Sequence, residues 1–208
     1  MSIPYKIHGL QRTGTNLSQY LLSKNFDVSS CESSGEWKHG LCGSTHSLID
    51  GQPLRYILCV KNPYAWIYSM YCYAKRAFGR DPTVDRKFNP NIEFKDFLHS
   101  PHYGFASPAW RWSYMYEHWL RALPDQRRFI IRHEDMLGTE NQSEVLKNIA
   151  DKFNLDLIGQ TISTSSNRIN IDCQVGKSMD TNTYLKSSYL KYYDHADLSE
   201  VHDSLNYA

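Results

Sequence analysis

An apolar stretch, residues 3–10, runs directly into Gln11-Arg-Thr-Gly-Thr-Asn16 and from there into Leu17, Tyr20 and Leu21 at helical spacing. No other feature restricts the fold of this chain as much. A short apolar run bounded by glycine predicts a buried strand, and the recurrence after it predicts a helix. Gly9 and Gly14 frame the turn between them as Gly-x-x-x-x-Gly. That arrangement lets successive backbone amides face one anion at a helix N-terminus.

The alternation continues along the chain. Residues 26–30 predict a second short strand, and residues 33–53, rich in Gly and Ser without a period, predict a loop. Residues 55–60 (Arg-Tyr-Ile-Leu-Cys-Val) form the clearest buried strand. Lys61-Asn-Pro63 then opens a helix, Pro63 fitting its first turn, and Gly79 and Pro82 end it. Residues 88–107 predict irregular structure with one short helix near 94–98, and residues 108–123 predict a long aromatic helix. A strand at 128–132 and an amphipathic helix at 143–153 follow, and a polar stretch at 159–183 precedes a C-terminal helix. The expected fold is a single α/β domain over 1–208, P-loop-like and three-layered, with a central parallel sheet flanked by helices. Ligands of such sheets bind at the carboxyl ends of strands. Two loops have that position, 11–16 and 61–63.

Composition narrows the partners. The 208 residues, 41% hydrophobic, suit one packed domain. Lys and Arg number 23 against 22 Asp and Glu, too even for non-specific nucleic-acid binding but compatible with a basic pocket for one small anion. No apolar run approaches the roughly 20 residues of a membrane span, and the N-terminus has no signal-peptide core. The cysteines, Cys31, Cys42, Cys59, Cys72 and Cys173, are odd in number and lack a Cys-x-x-Cys pair. The expectation is a reduced, cytoplasmic protein without a disulfide framework. Aromatic residues crowd positions 66–119, which suits a core plus a pocket for flat rings.

A kinase-type phosphate loop would continue from its second glycine into Lys-Ser or Lys-Thr, the lysine reaching the terminal phosphates and the hydroxyl holding magnesium. This chain continues into Thr15-Asn16 and carries its cation inside the loop, at Arg12. The loop suits a 5'-phosphate and lacks the usual magnesium arrangement.

Gln11-Arg-Thr-Gly-Thr-Asn16 resembles the phosphosulfate-binding loop of sulfotransferases that use 3'-phosphoadenosine 5'-phosphosulfate (PAPS). In that family a basic residue and a small residue precede Gly-Thr-Thr or Gly-Thr-Asn. The resemblance implies that Arg12 contacts the transferred group and that Thr13, Gly14, Thr15 and Asn16 surround the 5'-phosphate. Many members have lysine in place of Arg12, and arginine offers a planar fork instead. A second match is Cys59-Val-Lys-Asn-Pro-Tyr-Ala-Trp-Ile-Tyr-Ser69, similar to the family's 3'-phosphate segment: a strand, Arg-Asx-Pro, and a helix with a serine eight positions after the arginine. Lys61 and Ser69 hold those two places, lysine standing for arginine and losing bidentate contact. A third match is Phe129-Ile-Ile-Arg-His-Glu-Asp-Met136, similar to the family's strand ending in Tyr-Glu-Asp. It puts His133 in the tyrosine place, facing adenine, and leaves Glu134 and Asp135 structural. The resemblance spans about residues 3–155; a basic closing loop over the nucleotide would fall in 177–186.

The resemblance thus implies a sulfotransferase that moves the sulfuryl group of PAPS to an acceptor hydroxyl or amine by in-line displacement, without metal and releasing adenosine 3',5'-bisphosphate (PAP). The acceptor can be a small molecule, a glycan or a peptide; neither nucleic acid nor membrane is an expected partner. Such transfer needs a base for the acceptor's proton and cations against the transferred oxygens. His39 is the favoured base, with Lys38 beside it and Glu36 as the alternative, all on a glycine-flanked loop. His99, His102 and His46 are weaker candidates. Cys31, His39, Cys42 and His46 have a spacing possible for zinc but lack the paired cysteines of such sites. Two rival readings are a P-loop nucleotide kinase or hydrolase and a non-catalytic nucleotide-binding module.

Overall fold

The computed structural model describes residues 2–31, 37–42, 48–81, 84 and 87–165. Glu36, His46, Cys173, the basic stretch 177–186 and the expected C-terminal helix lie outside the described residues.

Four parallel strands form the main sheet. In chain order they are β1 (Ile3–His8), β2 (Val28–Ser30), β5 (Arg55–Val60) and β6 (Arg128–Arg132), and their spatial order is β2-β1-β5-β6. Helices α1 (Thr15–Asn25), α2 (Pro63–Ala77), α3 (Phe94–Phe97), α4 (Pro108–Ala122) and α5 (Thr139–Phe153) separate or follow them. The fold is therefore α/β, a parallel sheet with flanking helices. Because β2 lies on one side of β1 and β5 on the other, the strand order reverses between β1 and β5. The carboxyl ends of that pair are the place where open α/β sheets bind ligands.

Residues 33–53 were expected to be loop throughout. The structure instead has a short antiparallel hairpin, β3 (Leu48–Ile49) with β4 (Gln52–Pro53), whose Asp50 and Gly51 both adopt positive φ. Two residues per strand are too few to show a period, and Asp-Gly was its only signal. Helix α5 starts at Thr139, four residues ahead of the expected 143. Its first turn is polar, but Gln142 is buried, donating to the Met136 carbonyl and accepting from Ser165 N–H.

The described residues fall into two units. The first comprises those within 1–60 and 118–165, and the second those within 61–117. In the first, alternate residues of the strands share one face: Tyr5 and Ile7, Ile57 and Cys59, Ile131. Leu21, Leu22 and Phe26 from α1 and just beyond it, and Leu146, Ile149 and Phe153 from α5, close a core over that face. The other face is more polar, carrying buried Lys6 and His8, with the His8 ring 6.0 Å from that of Trp119. In the second unit aromatic rings pack on one another. Tyr71 lies 5.2 Å from Phe94 and 5.5 Å from Phe97, and the Arg111 guanidinium sits 4.1 Å from the centre of the Tyr103 ring.

Candidate functional site

The turn after β1 is built by close approach. A Cβ at Gly9 would lie 2.5 Å from the Cys59 carbonyl oxygen and 2.8 Å from Thr13 Oγ1, so only glycine lets the strand end run against β5. Thr13 is buried and ties the turn to itself, its hydroxyl donating to the Leu10 carbonyl at 2.7 Å. Arg12 adopts φ 72°, a left-handed conformation that costs a non-glycine residue about 1 kcal/mol. Gly14 follows at φ 87° and its ring neighbour is His133, whose Nδ1 would be 3.0 Å from an added Cβ. Gly14 is also the N-cap of α1, where no side chain caps the helix. The first amides of α1 are thus oriented for an anion by backbone alone. Beneath the turn, burial pushes the Cys59 thiol up to about 12; its Sγ donates to Ser18 Oγ of α1 at 3.4 Å.

Residues 37–42 are fastened to this turn. Gly9 N–H donates to the Lys38 carbonyl at 3.1 Å, and the Gly9 carbonyl is 2.5 Å from His39 Nδ1. Lys38 Nζ donates to Asn16 Oδ1 at 2.7 Å. The end of α4 holds the same segment from beyond: Trp119 Nε1 donates to the Gly40 carbonyl at 3.1 Å, and Cys42 N–H donates to His118 Nε2 at 3.1 Å. The Cys42 thiol is buried 3.4 Å from His8 Nε2. Arg12, Thr13, Gly14, Thr15 and Asn16, separated from Lys38 and His39 by more than twenty residues, are brought into one neighbourhood around Gly9. His133 joins them through Gly14.

The second loop, taken by itself, is organised differently. Asn62 caps α2, its Oδ1 accepting from Tyr64 N–H at 3.1 Å and Ala65 N–H at 3.4 Å. The Lys61 carbonyl accepts from Trp112 Nε1 at 3.1 Å. Lys61 and Ser69 are both half-buried. Any anion held here meets side chains, because Asn62 already takes the leading amides.

Asp135 has a structural contact within its own turn: it receives Arg132 through Nε at 2.7 Å and Nη2 at 3.0 Å. Among the weaker histidines, His99 is exposed, and His102 is buried against Trp66, Phe97 and Tyr103 as a core ring. Among the described residues, Cys31, Cys42, Cys59 and Cys72 are in no disulfide. No helix of the described residues is long and apolar enough to cross a membrane. Sequence reasoning missed Gly9 as the partner of His39, and His118 and Trp119 as clamps; backbone acceptors leave no side-chain signature, and Trp119 read as core.

Fold and turn together define a parallel α/β protein whose first strand is followed by a glycine-framed turn and a helix N-terminus without a side-chain cap. The chain matches no protein-family model, and no curated protein matches it. Among solved structures it is similar to mouse sulfotransferase SULT7A1 complexed with PAP, with a TM-score of 0.49 and 16% identity over 98% of this chain and 82% of that one. A likeness of that degree assigns no residue here.

Proposed function

We propose that the chain is a PAPS-dependent sulfotransferase acting on an acceptor hydroxyl or amine. The observation that carries this reading is the fastening of the Lys38–His39 segment to Gly9, the residue that opens the anion loop. A base and a cation are thereby held beside a helix N-terminus that has no side-chain cap.

Within the first unit, oriented amides and Arg12 suit the nucleotide's 5' end and His133 its base; Lys61 and Ser69 of the second unit, taken by themselves, suit a phosphate such as its 3' group. When bound, PAPS supplies the sulfuryl group and PAP is the leaving group. Arg12 and Lys38 set positive charge against the oxygens on which charge accumulates during transfer. His39 takes the proton that the acceptor's hydroxyl or amine loses as its oxygen or nitrogen bonds to sulfur. Holding both partners in line is the remaining contribution of the chain.

The test is ligand-dependent stability followed by turnover. PAP without added metal should raise the unfolding temperature, in line with about 2.7 kcal/mol at a hundredfold excess over Kd, and ATP with magnesium should do less. Labelled sulfuryl transfer from PAPS should then appear with a member of an acceptor panel spanning phenols, sugars and peptides. A larger shift with ATP and magnesium would overturn the reading in favour of a kinase. A PAP shift with no transfer to any acceptor would favour a binding module.

A further inference from the structure

We infer that the Gly9 carbonyl fixes His39 as its Nδ1–H tautomer and so makes Nε2 the nitrogen that receives the acceptor's proton. The catalytic half of this inference rests on the proposed sulfotransferase reading; the tautomer does not.

The argument is one of donors and acceptors. A carbonyl oxygen can only accept, so the contact between His39 Nδ1 and Gly9 O requires the proton on Nδ1. A neutral imidazole then carries its lone pair on Nε2. Free histidine prefers the opposite tautomer, so the fold selects the minor form. Gly9 is suited to impose it because it cannot move: β5 backbone lies directly against its Cα, and its own N–H returns a bond to the Lys38 carbonyl. The pair of bonds, one outward and one inward, locks residues 38 and 39 in register with the end of β1. Trp119 secures the next residue through the Gly40 carbonyl, and Trp37 meets the His39 ring edge-on at 5.0 Å between centroids. Gly9 is thus a positioning residue twice over, for the anion loop and for the base.

Nitrogen NMR of histidine-labelled full chain, without cofactor or acceptor, reads the tautomer directly. At a pH where the ring is neutral, His39 should show a protonated, pyrrole-type Nδ1 and a pyridine-type Nε2. The signal is assigned by its loss in His39→Gln or, should that variant not fold, by contacts to the Trp37 ring protons. Trp119→Phe, which removes the indole tether and leaves a smaller ring in its buried place, should shift His39 toward a mixture of tautomers. A pyridine-type Nδ1, or an averaged mixture in the unaltered chain, would overturn the inference. A chain that failed to bind PAP would instead remove the sulfotransferase reading and leave the nitrogen shifts to decide the tautomer.

Discussion

Helices α1 and α2 each begin where a parallel strand ends, yet Gly14 gives α1 no side-chain cap whereas Asn62 caps α2 through two amides. The sequences of the two turns look equally suited to phosphate, but their chemistry is divided differently. After β1 the helix amides are left uncapped, and on the proposed reading they face the ligand, while side chains such as Thr13 shape the turn. After β5 Asn62 already takes the Tyr64 and Ala65 amides, so the proposed reading assigns recognition to the Lys61 and Ser69 side chains. An anion site made of amides tolerates side-chain deletion; one made of two side chains does not. Affinity should therefore be fragile at the second turn, while the first should be sensitive chiefly in rate.

The largest expected effect is on rate. His39→Ala should lower kcat by roughly 10²–10⁴-fold while PAP still stabilises the protein, since the proposed reading gives the nucleotide to other residues. Glu36→Gln is the comparison: full turnover in His39→Ala with none in Glu36→Gln would transfer the role of base to Glu36.

The next effect separates the turns. Lys61→Ala should weaken PAP binding by about 1.5–3 kcal/mol, read by calorimetry, the range for a hydrogen bond to a charged group. Arg12→Ala should act mainly on kcat, because the proposed reading sets its charge against the transferred group. Unchanged PAP affinity in Lys61→Ala would break the comparison at its second arm.

Asn62→Ala removes a helix cap and should cost about 1 kcal/mol of stability in urea unfolding. If Asn62 is occupied with the helix, PAP affinity should change far less than in Lys61→Ala. The smallest effect at neutral pH concerns Cys59, whose thiol burial raises from 9.0 to about 12. The native state then keeps a proton that the unfolded state releases, so this contribution to stability is full below pH 9.0 and is lost as pH rises toward about 12. Cys59→Ala should flatten that alkaline decline in unfolding midpoints.

Much of the fold was legible because its signals are local. Apolar runs at 3–10, 55–60 and 128–132 became β1, β5 and β6, and Pro63 and Gly14 marked the helix starts. The hairpin at 48–53 and the early start of α5 were not, since one is too short for periodicity and the other opens on exposed polar residues followed by a buried Gln142 whose partners Met136 and Ser165 no helical period signals. The turn residues 12–16 could be singled out from spacing, and Lys38 and His39 from chemistry. That Asn16 would hold Lys38, and Gly9 His39, depends on loop closure across twenty-two and thirty residues, which no local pattern encodes. His102 illustrates the converse: a histidine in an irregular stretch reads as available until the surrounding rings of Trp66, Phe97 and Tyr103 are seen.

The bond from Gly9 N–H to the Lys38 carbonyl also makes the molecule its own recorder. That amide can exchange with deuterated solvent only when residues 38 and 39 lift away from the end of β1. Its exchange rate therefore counts how often the segment opens, in a resting protein and without any reaction. Neighbouring amides inside β1 answer to the sheet instead, so the ratio of the two rates separates a breathing loop from a melting fold.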